Sequence, residues 1–287
     1  MIIIDKDTCT ECGSCVEVCH EHCMELVDGA VVIDYETCST CTQCIAICPQ
    51  QALSWDHTPP VAFDRALLPS AQQLDELFKE RRTVRDFTPA TIDREKLEEI
   101  VAYGAYAPTH NFNFRLILID DEELLALIDR AILRFVGRLH RLVFRSELLG
   151  RFAKALAPAH WPELVRARPK LERALEGGRA FRSMPPAIVL VVGDRRVPLS
   201  EASAQYAVYN MTLYAQVIGL GARNLVGNQM ILNRSKAVRT RLQLGKHERI
   251  FGTLGLGYPA VRFSNKVRGR ALPIQWNEGV SEAKIAP

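Results

Sequence analysis

Cys9-Thr10-Glu11-Cys12-Gly13-Ser14-Cys15-Val16-Glu17-Val18-Cys19 and Cys38-Ser39-Thr40-Cys41-Thr42-Gln43-Cys44-Ile45-Ala46-Ile47-Cys48-Pro49 decide the fold of the N-terminal part of this 287-residue chain. Each run spaces its cysteines C-x₂-C-x₂-C-x₃-C. Three thiolates on one tight loop cap three iron corners of a cubane, so the fourth corner needs a ligand from elsewhere. Zinc also takes C-x₂-C pairs, but its sites rarely combine three thiolates at this spacing with a fourth three residues on. A disulfide framework would need an oxidising compartment. The two runs are copies at a period of 29 residues: Ile4-Asp5 falls on Ile33-Asp34, Thr8 on Thr37, each cysteine on a cysteine, and Val16 and Val18 on Ile45 and Ile47. Two pseudo-symmetric halves holding two [4Fe–4S] clusters are expected.

The spacing resembles that of two-cluster bacterial ferredoxins, in which the fourth cysteine of each run ligates the other cluster. The resemblance implies one ligand set of Cys9, Cys12, Cys15 and Cys48, and a second of Cys38, Cys41, Cys44 and Cys19. Cys23 falls on Ala52 in the repeat and reads as a small buried side chain. Where Pro49 follows Cys48, His20 follows Cys19, and this departure leaves Cys23 as the alternative fourth ligand of the second set. His20 and His22 read as polar residues near a cluster edge.

The whole chain is long enough for one small module plus one ordinary domain. With 36 basic and 33 acidic residues the formal charge is +3, and no nucleic-acid partner is implied. Met1–Cys9 lacks the basic and long apolar stretches of a secretory signal. The apolar run Ala187–Val192 has strand length, far below the roughly 20 residues of a membrane helix. The expectation is a cytoplasmic protein without membrane association, a compartment that suits thiolates kept reduced.

Residues 1–57 are expected to form the cluster module, closed by a strand over Gln51–Asp56, and residues 58–69 a linker opened by Pro59-Pro60. The remaining residues, 70–287, read as a second domain. Ser70 and Gln73 have capping-box spacing ahead of Leu74, Leu77 and Phe78. Asp93 heads a second helix, with Leu97, Ile100 and Val101 on one face. Leu116–Ile119, Ala187–Val192 and Arg249–Leu256 read as strands, and Glu201–Ile218 as a long helix. The class expected is α+β: the ferredoxin module followed by helices around a central sheet.

Within the second domain, Arg81-Arg82-Thr83-Val84-Arg85-Asp86-Phe87 resembles the R-R-S-x-R-x-F element of the nitroreductase family of FMN flavoproteins. Ala107-Pro108-Thr109-His110-Asn111 is similar to its A-P-[ST]-x-x-N, Gly219-Leu220-Gly221 to its G-L-G, Gly257-Tyr258-Pro259 to its G-Y-P, and Arg268-Gly269-Arg270 to its basic C-terminal element. These landmarks run in the family's order over roughly residues 70–275. The resemblance implies FMN as cofactor, with Arg81, Arg82, Thr83, Arg268 and Arg270 on the phosphate side, where arginine offers a fixed fork of donors. It places Arg85 and Asn111 at the pyrimidine edge, where a cation raises the flavin potential. A homodimer with FMN at its interface is implied too, Ala260–Trp276 forming an arm over the neighbour.

The family's N-x-Q-P-W continuation is replaced by Asn111-Phe112-Asn113-Phe114-Arg115, so Asn113 stands for the missing glutamine. A loop over Asn224–Gln229, with Gly227 and Asn228, is expected to cover the flavin ring. Residues 122–182 resemble the family least and read as a divergent helical insertion. There Arg130, Arg134, Arg138, Arg141 and Arg145 recur at helical spacing opposite Leu127, Ile128, Phe135, Leu139 and Leu142. This basic face reads either as solvated surface or as a cation-lined entrance to the flavin. His140, His160 and His247 share no metal-ligand spacing, and Trp161 and Trp276 read as packing aromatics.

There is no G-x-G-x-x-G after a strand and no P-loop. The function expected is an FMN-dependent oxidoreductase passing electrons between the clusters and FMN to a small organic acceptor, namely a nitroaromatic, a quinone or an activated alkene, by hydride transfer from flavin N5. The donor is a ferredoxin or NAD(P)H. The alternatives are an NAD(P)H-oxidising flavin or ferredoxin reductase, and a non-catalytic electron carrier or redox sensor. No catalytic acid or base is singled out, because the flavin carries the chemistry.

Overall fold

A computed structural model describes residues 1–108, 113–267, 269, 272–277 and 279–282, the last four as backbone only. The N-terminal unit is built twice over. Strand β1 (Ile2–Ile4) pairs antiparallel with β4 (Leu53–Trp55), and β2 (Met24–Val27) pairs with β3 (Ala30–Ile33). Between them lie two short helices, α1 (Ser14–Glu17) and α2 (Gln43–Ile47), one per cysteine run. Asp5 accepts from the Asp7 amide and the Thr8 hydroxyl, and Asp34 accepts from the Glu36 amide and the Thr37 hydroxyl in the same turn of the second half. The left-handed residues repeat as well: Glu11 and Thr40 at φ 57° and 56°, Gly13 and Thr42 at 77° and 64°, His22 and Gln51 at 52° and 55°. The 29-residue period is thus a backbone symmetry. The β2–β3 turn is Asp28-Gly29, both at positive φ as a two-residue hairpin requires. The closing strand is shorter than the expected span of 51–56, and the linker contains a single 3₁₀ turn, Arg65–Leu67, capped by Asp64.

The second unit begins with α3 (Ala71–Glu80). The Ser70 hydroxyl accepts from the Gln73 amide at 3.2 Å, and the Gln73 side chain accepts from the Ser70 amide at 2.8 Å, completing the capping box. Ser70→Ala is expected to lower stability by about 1 kcal/mol, measured as a reduced urea midpoint at unchanged slope. After an extended segment come α4 (Arg94–Ala102), a 3₁₀ turn at Tyr103–Tyr106, and β5 (Phe114–Ile119). Three helices follow, α5 (Glu122–Phe144), α6 (Glu147–Leu156) and α7 (Trp161–Glu176). The rest is β6 (Ala187–Asp194), α8 (Ser200–Val217), β7 (Gly221–Asn224), α9 (Val226–Arg234), α10 (Lys236–Arg241), β8 (Glu248–Gly257) and the hairpin of β9 (Pro273–Trp276) and β10 (Gly279–Glu282). Four strands form one sheet in the order β5-β6-β8-β7 with antiparallel neighbours throughout.

Strand β6 shows how this sheet is covered. Val189 and Val191 join Leu97 and Ile100 of α4 and Ala204, Val208 and Met211 of α8 on one face. Ile188, Leu190 and Val192 join Ile128 and Ile132 of α5, Leu232 of α9 and Val238 of α10 on the other. A strand buried on both faces reads as a continuous apolar run. The result is helices, sheet and helices in three layers, the α+β arrangement expected. Residues 122–182 are no appendage, since α5 supplies part of one core. His140 on α5 lies 3.2 Å from Glu172 on α7, which also accepts from Arg168 at 2.8 Å. Among the described residues no helix is long and apolar enough to cross a membrane.

Candidate functional site

In the N-terminal unit, Cys9, Cys12 and Cys15 of the first run and Cys48 of the second line one cavity, closed by Gly13, Val31 and Leu53. The Cys48 sulfur reaches this cavity because α2 ends at Cys48 in extended geometry, and it accepts from the Ala52 amide at 3.3 Å. Burial holds the Cys15 thiol above its usual range and pushes Cys44 up to about 11. Cys44 feels the thiols of Cys41 and Cys38. Cys23 is buried like its repeat partner Ala52, its sulfur 3.3 Å from that of Cys19, and it feels Cys38 as well. Cys19 and Cys23 therefore both stand beside Cys38, the first cysteine of the second run. Among the described residues no three His, Cys, Asp or Glu side chains converge on a single-ion site.

In the second unit the extended segment 81–88 is laced down on both sides. The Val84 amide donates to the Ala222 carbonyl at 3.1 Å, the Thr88 amide to Tyr258 at 2.9 Å, the Ala260 amide to Asp86 at 2.9 Å, and the Phe87 amide to the Ser183 hydroxyl at 2.9 Å. A Cβ at Gly221 would meet Val84 at 2.8 Å, so β7 needs glycine there to admit the segment. Arg81 and Arg82 line a cavity of about 510 Å³ with Gly219–Ala222 and Pro259–Phe263. Thr83 and Arg85 line a different cavity of about 340 Å³ with Asn224, Leu225, Gly227 and Asn228. The four residues expected together on the phosphate side and pyrimidine edge are thus divided between two cavities, Thr83 being separated from Arg81.

The cavity of Thr83 and Arg85 is two-sided. Ile132 and Val136 of α5, Phe181 and Ile231 form apolar walls, and Arg223, Asn224, Asn228 and Lys170 supply polar groups. A Cβ at Gly227 would meet nothing within 4 Å, so open space lies in front of it. The donor set and the apolar walls fit a flavin, which carries a polar pyrimidine edge on a flat apolar body. The expected covering loop over 224–229 is instead the end of β7 and the first turn of α9. Leu225, buried against the sheet, donates its amide to Thr253 at 2.8 Å and starts the helix there, which is why the loop reading failed. Asn113 lines neither cavity; its carbonyl oxygen faces Gly193 across β5 and β6. Asn111, Arg268 and Arg270 lie outside the described residues.

Arg223 and Lys170 belong to none of the motifs above, and Asn224 enters them only as the first residue of the expected covering loop. Arg223 had a legible signal: a charge inside a four-residue strand that otherwise feeds the core. Its guanidinium lies 5.0 Å over the Phe181 ring, and burial, with the Arg85 cation as second cause, lowers its pKa from the usual value. The arginines that did stand out, Arg130, Arg134, Arg138, Arg141 and Arg145, face solvent from α5, whose apolar face supplies Ile132 and Val136 to the cavity.

Solved structures share this fold. A nitroreductase with bound FMN from Bacteroides fragilis superposes with a TM-score of 0.51 at 18% identity, over 70% of this chain and 98% of that one. A nitroreductase with bound FMN from Desulfitobacterium hafniense gives 0.50 at 16%, over 67% and 92%. An oxidised iodotyrosine deiodinase bound to FMN and 3-iodo-L-tyrosine gives 0.50 at 21%, over 71% and 98%. No curated protein matches the chain. The 4Fe-4S dicluster domain model matches residues 1–49. The Nitroreductase family model matches residues 78–258, from α3 through the 81–88 segment and the sheet to the end of β8, and the chain belongs to the nitroreductase family.

Proposed function

We propose that the protein is an FMN-dependent oxidoreductase with its own iron–sulfur relay, which takes single electrons through two [4Fe–4S] clusters and reduces a small organic acceptor. The observation that carries this reading is the convergence of Thr83 and Arg85 with Asn224, Gly227 and Asn228 on one partly apolar cavity. FMN, when bound, supplies the conversion between one-electron and two-electron chemistry that a cluster cannot make alone. Toward it this chain's residues bind and orient. Thr83 and Arg85 donate from the strapped 81–88 segment, Arg85 at the edge where negative charge develops on reduction. Ile132, Val136 and Phe181 exclude water from the ring. Cys9, Cys12, Cys15 and Cys48 hold one cluster, and Cys38, Cys41 and Cys44 with Cys19 hold the other. The acceptors that suit a flavin of this family are nitroaromatics, quinones and activated alkenes, and the electrons enter from a reduced ferredoxin or NAD(P)H.

A homodimer belongs to the same proposal. The β9–β10 hairpin pairs with itself outside the four-stranded sheet. Leu272, Val267 and Phe263 are exposed along the stretch leading to it, at 69%, 68% and 50%. Apolar side chains of this size suit burial against a second copy.

Cofactor analysis of anaerobically purified protein tests the reading. About one FMN and about eight irons per chain are expected. Arg85→Ala is expected to weaken FMN binding about 10- to 100-fold, as loss of a charge-assisted contact does, measured by fluorescence titration of apoprotein. Full FMN affinity in that variant would remove Arg85 from the site.

A further inference from the structure

Beside the flavin cavity lies a second one of about 770 Å³, sharing Arg85, Lys170, Ala174, Ala180, Phe181 and Arg223 with it. Its remaining lining is Gly177, Asp86 and three arginines: Arg173 of α7, and Arg179 and Arg182 just after it. The one acid in the lining, Asp86, is already engaged, accepting from Arg182 Nε at 2.8 Å and from its Nη2 at 2.5 Å. Among the described residues Arg85, Lys170, Arg173 and Arg223 make no side-chain hydrogen bond or ion pair.

Arg223 is the informative member. It is half-buried on β7, with its guanidinium carbon 5.0 Å over the Phe181 ring, beside the Arg85 cation and within the field of Asp86, which is itself engaged by Arg182. A cation withdrawn from water without a partner is costly and is retained where an anion completes it. A guanidinium placed over an aromatic ring keeps N–H groups free to fork an oxyanion through two parallel bonds. The position is fixed from both sides. β7 is paired to β8, and α7 is tied to α5 by Glu172, while Asp129 of α5 accepts from the amides of Ala180 and Phe181 at 3.0 and 3.3 Å.

We infer that this cavity binds the charged end of the acceptor, a carboxylate or phosphate set apart from the reducible group, with Arg223 forking the oxyanion and Lys170 and Arg173 surrounding it. The inference rests on the flavin-reductase reading, because the shared lining puts the reducible group next to the flavin. It names the substrate class as small organic anions. The arginines of α5, which face solvent, take no part.

The test uses the oxidised holoprotein and three nitro compounds: 4-nitrobenzoate, 4-nitrophenyl phosphate and the neutral 4-nitrobenzamide. Binding is measured by calorimetry at low and high salt. At least one anion is expected to bind about tenfold or more tighter than the amide, with the advantage shrinking as salt rises. The preferred anion tells carboxylate from phosphate. Arg223→Gln, and separately Lys170→Gln with Arg173→Gln on the exposed face of α7, are expected to reduce the anion-to-amide ratio about tenfold. Equal affinities for all three, or no binding of either anion, would overturn the inference. The same compounds are then offered to dithionite-reduced protein, where two electrons and two protons convert the nitro group to nitroso and water. Anion-selective binding without turnover of any compound would instead count against the reductase reading alone.

Discussion

Cys48→Ser is expected to remove about half of the bound iron and to leave one [4Fe–4S] cluster. The reason is geometric. Cys48 follows the second run in sequence, yet its sulfur stands in the cavity lined by Cys9, Cys12 and Cys15. With serine at 48 that cavity keeps three thiolates, too few for a stable cubane in water. Cys12→Ser should cost the same cluster, and the double variant should lose no more than either single one. Cys19→Ser is expected to cost less iron than Cys48→Ser, since the Cys23 sulfur lies 3.3 Å from that of Cys19 and shares its surroundings. Iron and sulfide assays with EPR of the reduced protein read these outcomes. Full iron in Cys48→Ser would show that Cys48 ligates no cluster, and loss of both clusters in the double variant would show that the runs do not exchange their fourth ligands.

Gly257→Ala is expected to destabilise the second unit by about 1–3 kcal/mol, the range for overpacking a filled core. Gly257 ends β8, and a Cβ there would fall 2.6 Å from Phe87 Cδ1 and 2.7 Å from Pro186 Cδ. Neither neighbour can give easily: Phe87 is 7% exposed and Pro186 is a ring fixed to the backbone. Phe87 also closes the 81–88 segment, bridging to Pro259 and bonding through its amide to Ser183. The displaced ring should therefore carry Thr83 and Arg85 with it, and FMN affinity should fall together with thermal stability. A melting temperature lower by about 5 °C, with weaker FMN retention, is the expected result. An unchanged melting temperature would show that the segment is not held as described.

What the sequence made legible was whatever repeats or alternates. The 29-residue period carried through to paired left-handed residues and paired aspartate turns, because a backbone symmetry has to be written in both copies. The capping box at Ser70, the helix from Asp93 and the apolar strand at Ala187 were equally plain, each following from a local rule that tertiary packing did not override. The failures are of two kinds. The motif places Arg81 and Thr83 on the phosphate side and Arg85 at the pyrimidine edge, whereas in the fold the two arginines that open the extended segment face one cavity and Thr83 and Arg85 face another. The resemblance implies a covering loop over 224–229, whereas buried Leu225 and Ile231 dock the stretch against the sheet as the start of a helix. The basic residues that stood out by periodicity on α5 lie in solvent. Those that count, Lys170, Arg173 and Arg223, come from a helix and a strand far apart in sequence, and no local pattern joins them.

The central claim is that clusters, flavin and a small acceptor form one path for electrons. The most direct test is an anaerobic titration of the holoprotein, reduced with just enough dithionite to place two electrons on the flavin and one on each cluster, followed by absorbance and EPR, then mixed with about two equivalents of 4-nitrobenzoate, each taking two electrons to the nitroso level. Flavin and cluster signals are both expected to return to their oxidised state as the nitro group is consumed. If both remain reduced with every small acceptor while exchanging electrons rapidly with an added ferredoxin, the protein is an electron carrier and not a reductase.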